Sequence, residues 1–122
     1  MKILVAMPAG EVRDTFIPKE TAGMLEEMGT VEWNGSSGQF TEDELREKIK
    51  DADVCITGWG NLRFDSNILE NARNLKLIAH TGGTVAPIVS DCLYDRGIKV
   101  VSGNSIFAES VAESVIAYIL AS

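Results

Sequence analysis

The sequence has a single histidine, two cysteines and no cluster of basic residues. Cys55 falls in a predicted buried strand and Cys92 in a predicted helix, and neither has a CxxC partner. Both therefore read as reduced thiols acting as small core residues, which suits a cytoplasmic protein. Eleven Lys and Arg are scattered among eighteen Asp and Glu, for a net charge of −7. That balance argues against a nucleic-acid groove or a surface for anionic membranes. Long apolar runs are missing near the start. The run ILVAM after Met1-Lys2 is far too short for a signal peptide or a spanning helix. There is no solenoid-type repeat and no low-complexity tract.

What is present is an ordinary globular composition, 45 % apolar over 122 residues. This length suits one domain, in which folding buries roughly two-thirds of the unfolded chain's surface. The organising stretch is Asn74 to Thr84, NLKLIAHTGGT. Leu75, Leu77 and Ile78 suit one buried strand, taken as Leu75 to Ala79, which breaks at His80-Thr81 and empties into Gly82-Gly83.

Four more strand-then-helix units surround it. Ile3 to Met7 reads as the first strand, ended by Pro8-Ala9-Gly10. A helix from about Pro18 to Gly29 has Met24, Leu25 and Met28 as its apolar stripe. Val31 to Trp33 is a second strand, followed by a surface loop over Asn34-Gly35-Ser36-Ser37-Gly38. Thr41 and Glu44 match a capping box, with Phe40 and Leu45 as its hydrophobic staple and Leu45 and Ile49 on one face. Glu42, Asp43, Arg46, Glu47 and Lys50 read as the solvated side of that helix.

Asp53 to Thr57 is the third strand, leaving through Gly58-Trp59-Gly60, and a short helix near Asp65-Ser66 turns Ile68 and Leu69 inward. Pro87 opens a helix closed by Gly97, with Ile88, Leu93 and Tyr94 inward, and Ile98 to Val101 is the fifth strand. From Phe107 to Ser122 the chain reads as a helix, amphipathic at first and apolar all round in its second half. Its end has no capping residue, glycine or proline and reads as a truncation.

Five such alternations imply an α/β fold, a doubly wound five-stranded parallel sheet of flavodoxin-like form in the strand order 2-1-3-4-5. Ligands of such sheets lie beyond the carboxyl ends of the strands. The five exits are rich in glycine and small polar residues and carry no carboxylate. Their backbone N–H groups could hold a small anion, and His80 is their one acid–base group. His80 is open to two readings, a general acid or substrate contact, or a strand-end residue bonded to nearby backbone. Trp59 could wall a pocket or seal a sheet edge, and Gly82-Gly83 could cradle a ligand or simply turn the chain.

Two families with this element order fail on chemistry. A response-regulator receiver domain needs carboxylates after the first and third strands and a lysine after the fifth. Here those places hold Pro8-Ala9-Gly10, Thr57-Gly58 and Ser102-Gly103-Asn104, so a magnesium or phosphoryl site has no ligands. A flavodoxin would show a Ser/Thr-rich phosphate cradle at the first exit.

The residues Asn74-Leu75-Lys76-Leu77-Ile78 into the glycine turn, then Asp95-Arg96-Gly97-Ile98-Lys99-Val100-Val101, then Ser110-Val111-Ala112-Glu113 carry a resemblance. In that order they resemble the N-terminal part of the D-isomer-specific 2-hydroxyacid dehydrogenases, the group containing phosphoglycerate and glycerate dehydrogenases. The resemblance implies a substrate domain over residues 1–105. Residues 106–122 would then begin the helix that connects to a Rossmann domain missing from this chain. It implies that Gly58, Trp59, Gly60, His80, Thr81 and Gly82 face a small 2-hydroxy or 2-oxo acid, with Gly83 and Thr84 toward the nicotinamide. His80 stands where many members have an arginine, and Thr84-Val85-Ala86-Pro87 replaces the usual Gly-Val-Asp-Asn.

The dinucleotide fingerprint GxGxxG is absent, as is the acidic residue that should follow it. In the family the catalytic arginine, glutamate and histidine come after the connecting helix. The expectation is therefore an oxidoreductase substrate domain that is inactive as this chain. NAD or NADP would serve the longer parent, with none bound here, and no catalytic or metal-binding residue is assigned. The apolar half of the Phe107–Ser122 helix is expected to drive self-association. The alternative is a stand-alone α/β domain that binds a small anion or a partner without catalysis.

Overall fold

Short apolar runs that end at small polar residues become parallel strands. The computed structural model describes residues 1–17, 19–58, 63–80 and 88–102. Within them the strands are β1 (Lys2–Val5), β2 (Thr30–Trp33), β3 (Val54–Thr57), β4 (Leu77–His80) and β5 (Lys99–Ser102). They form one sheet in the order β2-β1-β3-β4-β5, and every pairing is parallel. This is the doubly wound arrangement expected from the sequence. Every residue of β3 and β4 is buried, as interior strands of a parallel sheet require, whereas β2 is a half-covered edge.

Side-chain alternation along the strands divides the core in two. Leu4, Cys55 and Ile78 pack on one face with Leu45, Ile49, Phe64, Ile68, Leu69 and Leu93. Ile3, Val5, Val54, Ile56, Leu77 and Ala79 pack on the other with Ile17 and Leu25. The helices are α1 (Glu11–Phe16), α2 (Lys19–Met28), α3 (Glu42–Lys48), α4 (Ser66–Leu69) and α5 (Asp91–Asp95), with a 3-10 turn at Ile49–Asp51.

Local signals hold where they are strongest. Thr41 and Glu44 form the reciprocal capping box, and Phe40 and Leu45 are both buried beside it. Asp65 caps α4 through the Ile68 N–H, and Ile68 and Leu69 point into the core. Gly97 follows α5 with φ 75°, a left-handed angle that glycine takes without strain. Gly29 ends α2 for a further reason. A Cβ there would collide with the carbonyl of Met1, which accepts the Thr30 N–H at 2.9 Å.

Several expectations need correction. The stretch Glu11–Phe16 is a helix, in a part of the chain left unassigned between the Pro8-Ala9-Gly10 turn and the helix expected from Pro18; its one i, i+4 apolar pair, Val12 and Phe16, is too little periodicity to announce it. Strand β4 starts at Leu77, not Leu75, and includes His80, because its partner β3 begins at Val54 and runs to Thr57. Met24 and Tyr94 are exposed: each adjoins the residue that does turn inward, Leu25 on α2 and Leu93 on α5. Asn34 is buried although it opens a surface loop. The expected helix over Phe107–Ser122, together with Pro18 and Pro87, lies outside the described residues.

Candidate functional site at the carboxyl edge

Parallel strands deliver their last residues to one edge of the sheet, and here two of those residues meet. Thr57 ends β3 and His80 ends β4, and they are direct partners in the register. Both project to the same face, and Thr57 Oγ1 lies 2.8 Å from His80 Nδ1 in a hydrogen bond closed off from solvent. His80 is 3 % exposed and Thr57 fully buried. The bond fixes the plane of the imidazole, so the second ring nitrogen is held in one orientation. The sequence reading of His80 as bonded to backbone misses Thr57, a partner 23 residues away that only the register reveals. On the other side His80 is in register with Ser102 at the end of β5.

Gly58, directly after Thr57, is also buried. Of the substrate-facing residues proposed from sequence, the fold thus brings Gly58 and His80 to neighbouring strand ends. Trp59, Gly60, Thr81, Gly82, Gly83 and Thr84 lie outside the described residues.

A second cluster lies at the exits of β1 and β2. Asn34 donates from Nδ2 to the carbonyls of Gly38 at 3.1 Å and Ala6 at 3.4 Å, and its Oδ1 accepts the Ser36 N–H at 3.0 Å. Arg13 on α1 donates from Nη1 to the carbonyls of Asn34 at 2.7 Å and Met7 at 3.3 Å. Its guanidinium carbon stands 5.4 Å from the centre of the Trp33 ring. A cleft of about 430 Å³ opens there, and Met7, Pro8, Ser37 and Gln39 are among its walls. Glu11, one residue past the carboxylate-free Met7-Pro8-Ala9-Gly10 exit, lines it too.

Cys55 belongs to the core, and burial pushes its thiol pKa well up, so it stays protonated and unreactive. Among the described residues no group of His, Cys, Asp and Glu could hold a metal ion. The edge can orient a polar ligand through the imidazole held by Thr57 and the buried backbone at Gly58.

The model of the D-isomer specific 2-hydroxyacid dehydrogenase catalytic domain matches residues 12–117. The chain belongs to this family. Among curated relatives, a D-3-phosphoglycerate dehydrogenase from Methanocaldococcus jannaschii is 35 % identical over 99 % of this chain and 21 % of its own length. A glyoxylate reductase from Pyrococcus furiosus is 30 % identical over 86 % of this chain and 31 % of its own length. The NAD+-bound 3-phosphoglycerate dehydrogenase of Entamoeba histolytica has a similar structure. Its TM-score is 0.64 at 27 % identity, over 84 % of this chain and 32 % of that one.

The chain thus spans between a fifth and a third of the length of these relatives. Members of this family use NAD(P), act on 2-hydroxy or 2-oxo acids and hold the cofactor in a separate domain. The sheet order drawn from the strand–helix alternation agrees with this membership.

Proposed function

We propose that this chain is the substrate-side domain of an NAD(P)-dependent dehydrogenase acting on a small D-2-hydroxy acid. The family match over residues 12–117 carries the reading. In it, residues 1–105 form the substrate domain, and the segment from 106 begins the connection to a cofactor domain. Gly58, Trp59, Gly60, His80, Thr81 and Gly82 border the acid, and Gly83 and Thr84 border the nicotinamide. His80 contacts the substrate with its ring held by Thr57, and backbone N–H groups of the glycine exits receive the carboxylate.

The residues of this chain do not fit a whole dinucleotide. No GxGxxG fingerprint or following ribose acid occurs in the 122 residues. Hydride transfer is therefore assigned to the assembled parent, and no catalytic residue to this segment. The chain alone is expected to show no NAD(P)H-dependent reduction of glyoxylate or hydroxypyruvate and no low-micromolar NADH binding by calorimetry. Glyoxylate should nonetheless shift the NMR signals of His80 and Gly58, and His80→Ala should abolish that response. Turnover by the chain itself would overturn the division of labour, and a silent carboxyl edge would overturn the substrate assignment.

The missing fingerprint favours one second reading, a stand-alone binding domain without catalysis. Such a domain would bind its ligand with no preference for 2-oxo over simple carboxylic acids. Two further elements belong to the proposal. The apolar run Val115, Ile116, Tyr118, Ile119 and Leu120 drives self-association, because each large side chain left in water forgoes roughly 1.5–3 kcal/mol. Sedimentation at rising concentration, with Ile116→Lys/Leu120→Lys as control, checks it; a concentration-independent monomer refutes it. The free thiols of Cys55 and Cys92 suit a cytoplasmic location, which cell fractionation tests.

A further inference from the structure

Arg13 has more hydrogen-bonding capacity than its fold contacts use. Only Nη1 is engaged, and both of its acceptors are uncharged carbonyls. Nε–H and the Nη2 amino group have no hydrogen-bond partner among the described residues, and no carboxylate there forms an ion pair with Arg13. Those two nitrogens are the fork that matches a carboxylate or phosphate in a bidentate way.

The guanidinium is also held in place. Its principal acceptor is the carbonyl of Asn34, whose own side chain is tied to Ala6, Gly38 and Ser36. Much of the ordering that a ligand would impose on a free arginine is already met in folding.

Beside Arg13 runs a second hollow, of about 460 Å³, between α1, α2 and β2. It is lined by Arg13, Asp14, Ile17, Lys19, Ala22 and Trp33. Two cations and one carboxylate make it locally positive on a chain of net charge −7. Lys19, like Arg13, has no ion pair among the described residues. Trp33, Ile17 and Ala22 supply an apolar wall next to the charged groups. None of these residues belongs to the β3 or β4 exits.

We propose that this groove is a binding site for small organic carboxylates or phosphates that carry a flat apolar group. The Nε/Nη2 fork of Arg13 takes the anionic oxygens, Lys19 adds a second positive charge, and the flat group packs against Trp33. The site is separate from the Thr57–His80 edge, so its failure leaves the dehydrogenase reading untouched.

The test follows the Arg13 Nε–Hε and Trp33 indole N–H signals of the 15N-labelled chain. Phenyl phosphate, benzoate and inorganic phosphate are added in turn, against sodium chloride at equal ionic strength. Saturable shifts at both signals are expected, with dissociation constants on the order of millimolar or tighter. Phenyl phosphate should bind more tightly than inorganic phosphate. Arg13→Lys, which lacks the planar fork, should weaken all three by roughly tenfold. Lys19→Met, a change on the exposed surface, should weaken them less, and Trp33→Leu should weaken only the two aromatic ligands. Shifts reproduced by sodium chloride, or saturable binding that neither Arg13→Lys nor Lys19→Met alters, would overturn the site.

Discussion

Replacing Thr57 by Val tests the side-chain pair that the register of β3 and β4 builds at the carboxyl edge. The substitution keeps the β-branched shape that suits a strand and removes only the hydroxyl. The hydroxyl lies 2.8 Å from His80 Nδ1, with both residues almost sealed from water. Bulk solvent therefore does not replace the lost partner. A buried polar atom deprived of its partner costs about 1–3 kcal/mol, and the extra apolar burial of valine recovers part of that. We expect Thr57→Val to destabilise the chain by about 1–2 kcal/mol in urea unfolding, with an unchanged slope.

A single loss of stability does not identify the bond, so the decisive measurement is a double-mutant cycle with His80→Phe. If the pair is worth its usual net contribution, Thr57→Val should cost about 0.5–1.5 kcal/mol less in the His80→Phe background than alone. Two losses that add within about 0.5 kcal/mol would refute the claim that Thr57 and His80 act as a unit.

Glu32 provides a pH-dependent case. Its carboxyl accepts from Lys48 at 2.6 Å and pairs with Lys2 at 3.2 Å, and the Lys48 bond above all holds its pKa below the usual value despite an opposing effect of burial. The stabilisation is complete above the unfolded carboxylate pKa and is lost as pH falls through the lower folded one. Glu32→Gln should therefore cost about 0.2–1 kcal/mol per pair near neutrality and progressively less in acid; a pH-independent difference would contradict the assignment. Thr41→Ala removes the side chain that accepts the Glu44 N–H and should lower stability by roughly 0.5–2 kcal/mol in thermal unfolding. Gly29→Ala should weaken the start of β1, because its Cβ meets the Met1 backbone, seen as faster amide exchange at Thr30.

What the chain announces in its own order is local. The capping box at Thr41 and Glu44 spans one helical turn, so both partners are visible in four consecutive residues. The interior strands β3 and β4 appear as apolar runs because both of their faces are buried, and the strand–helix alternation then restricts the topology to a parallel sheet. Family membership was legible for a related reason, since its markers are contiguous stretches such as Asn74 to Ile78.

The candidate sites were not legible in the same way. Helix α1 is a six-residue segment with a single i, i+4 apolar pair, Val12 and Phe16, too little periodicity to set it apart from a turn. Asn34 looks like any loop asparagine until the β1 and β2 exits close around it. Thr57 and His80 stand 23 residues apart and Arg13 and Asn34 stand 21 apart, and each pair is joined only when the strands align. Propensity and burial patterns act between neighbours in the chain, and those the sequence determined by itself. Which polar groups satisfy one another at the carboxyl edge depends on strand register, and only the tertiary structure decided it, because a buried hydrogen bond selects its partner by position in space.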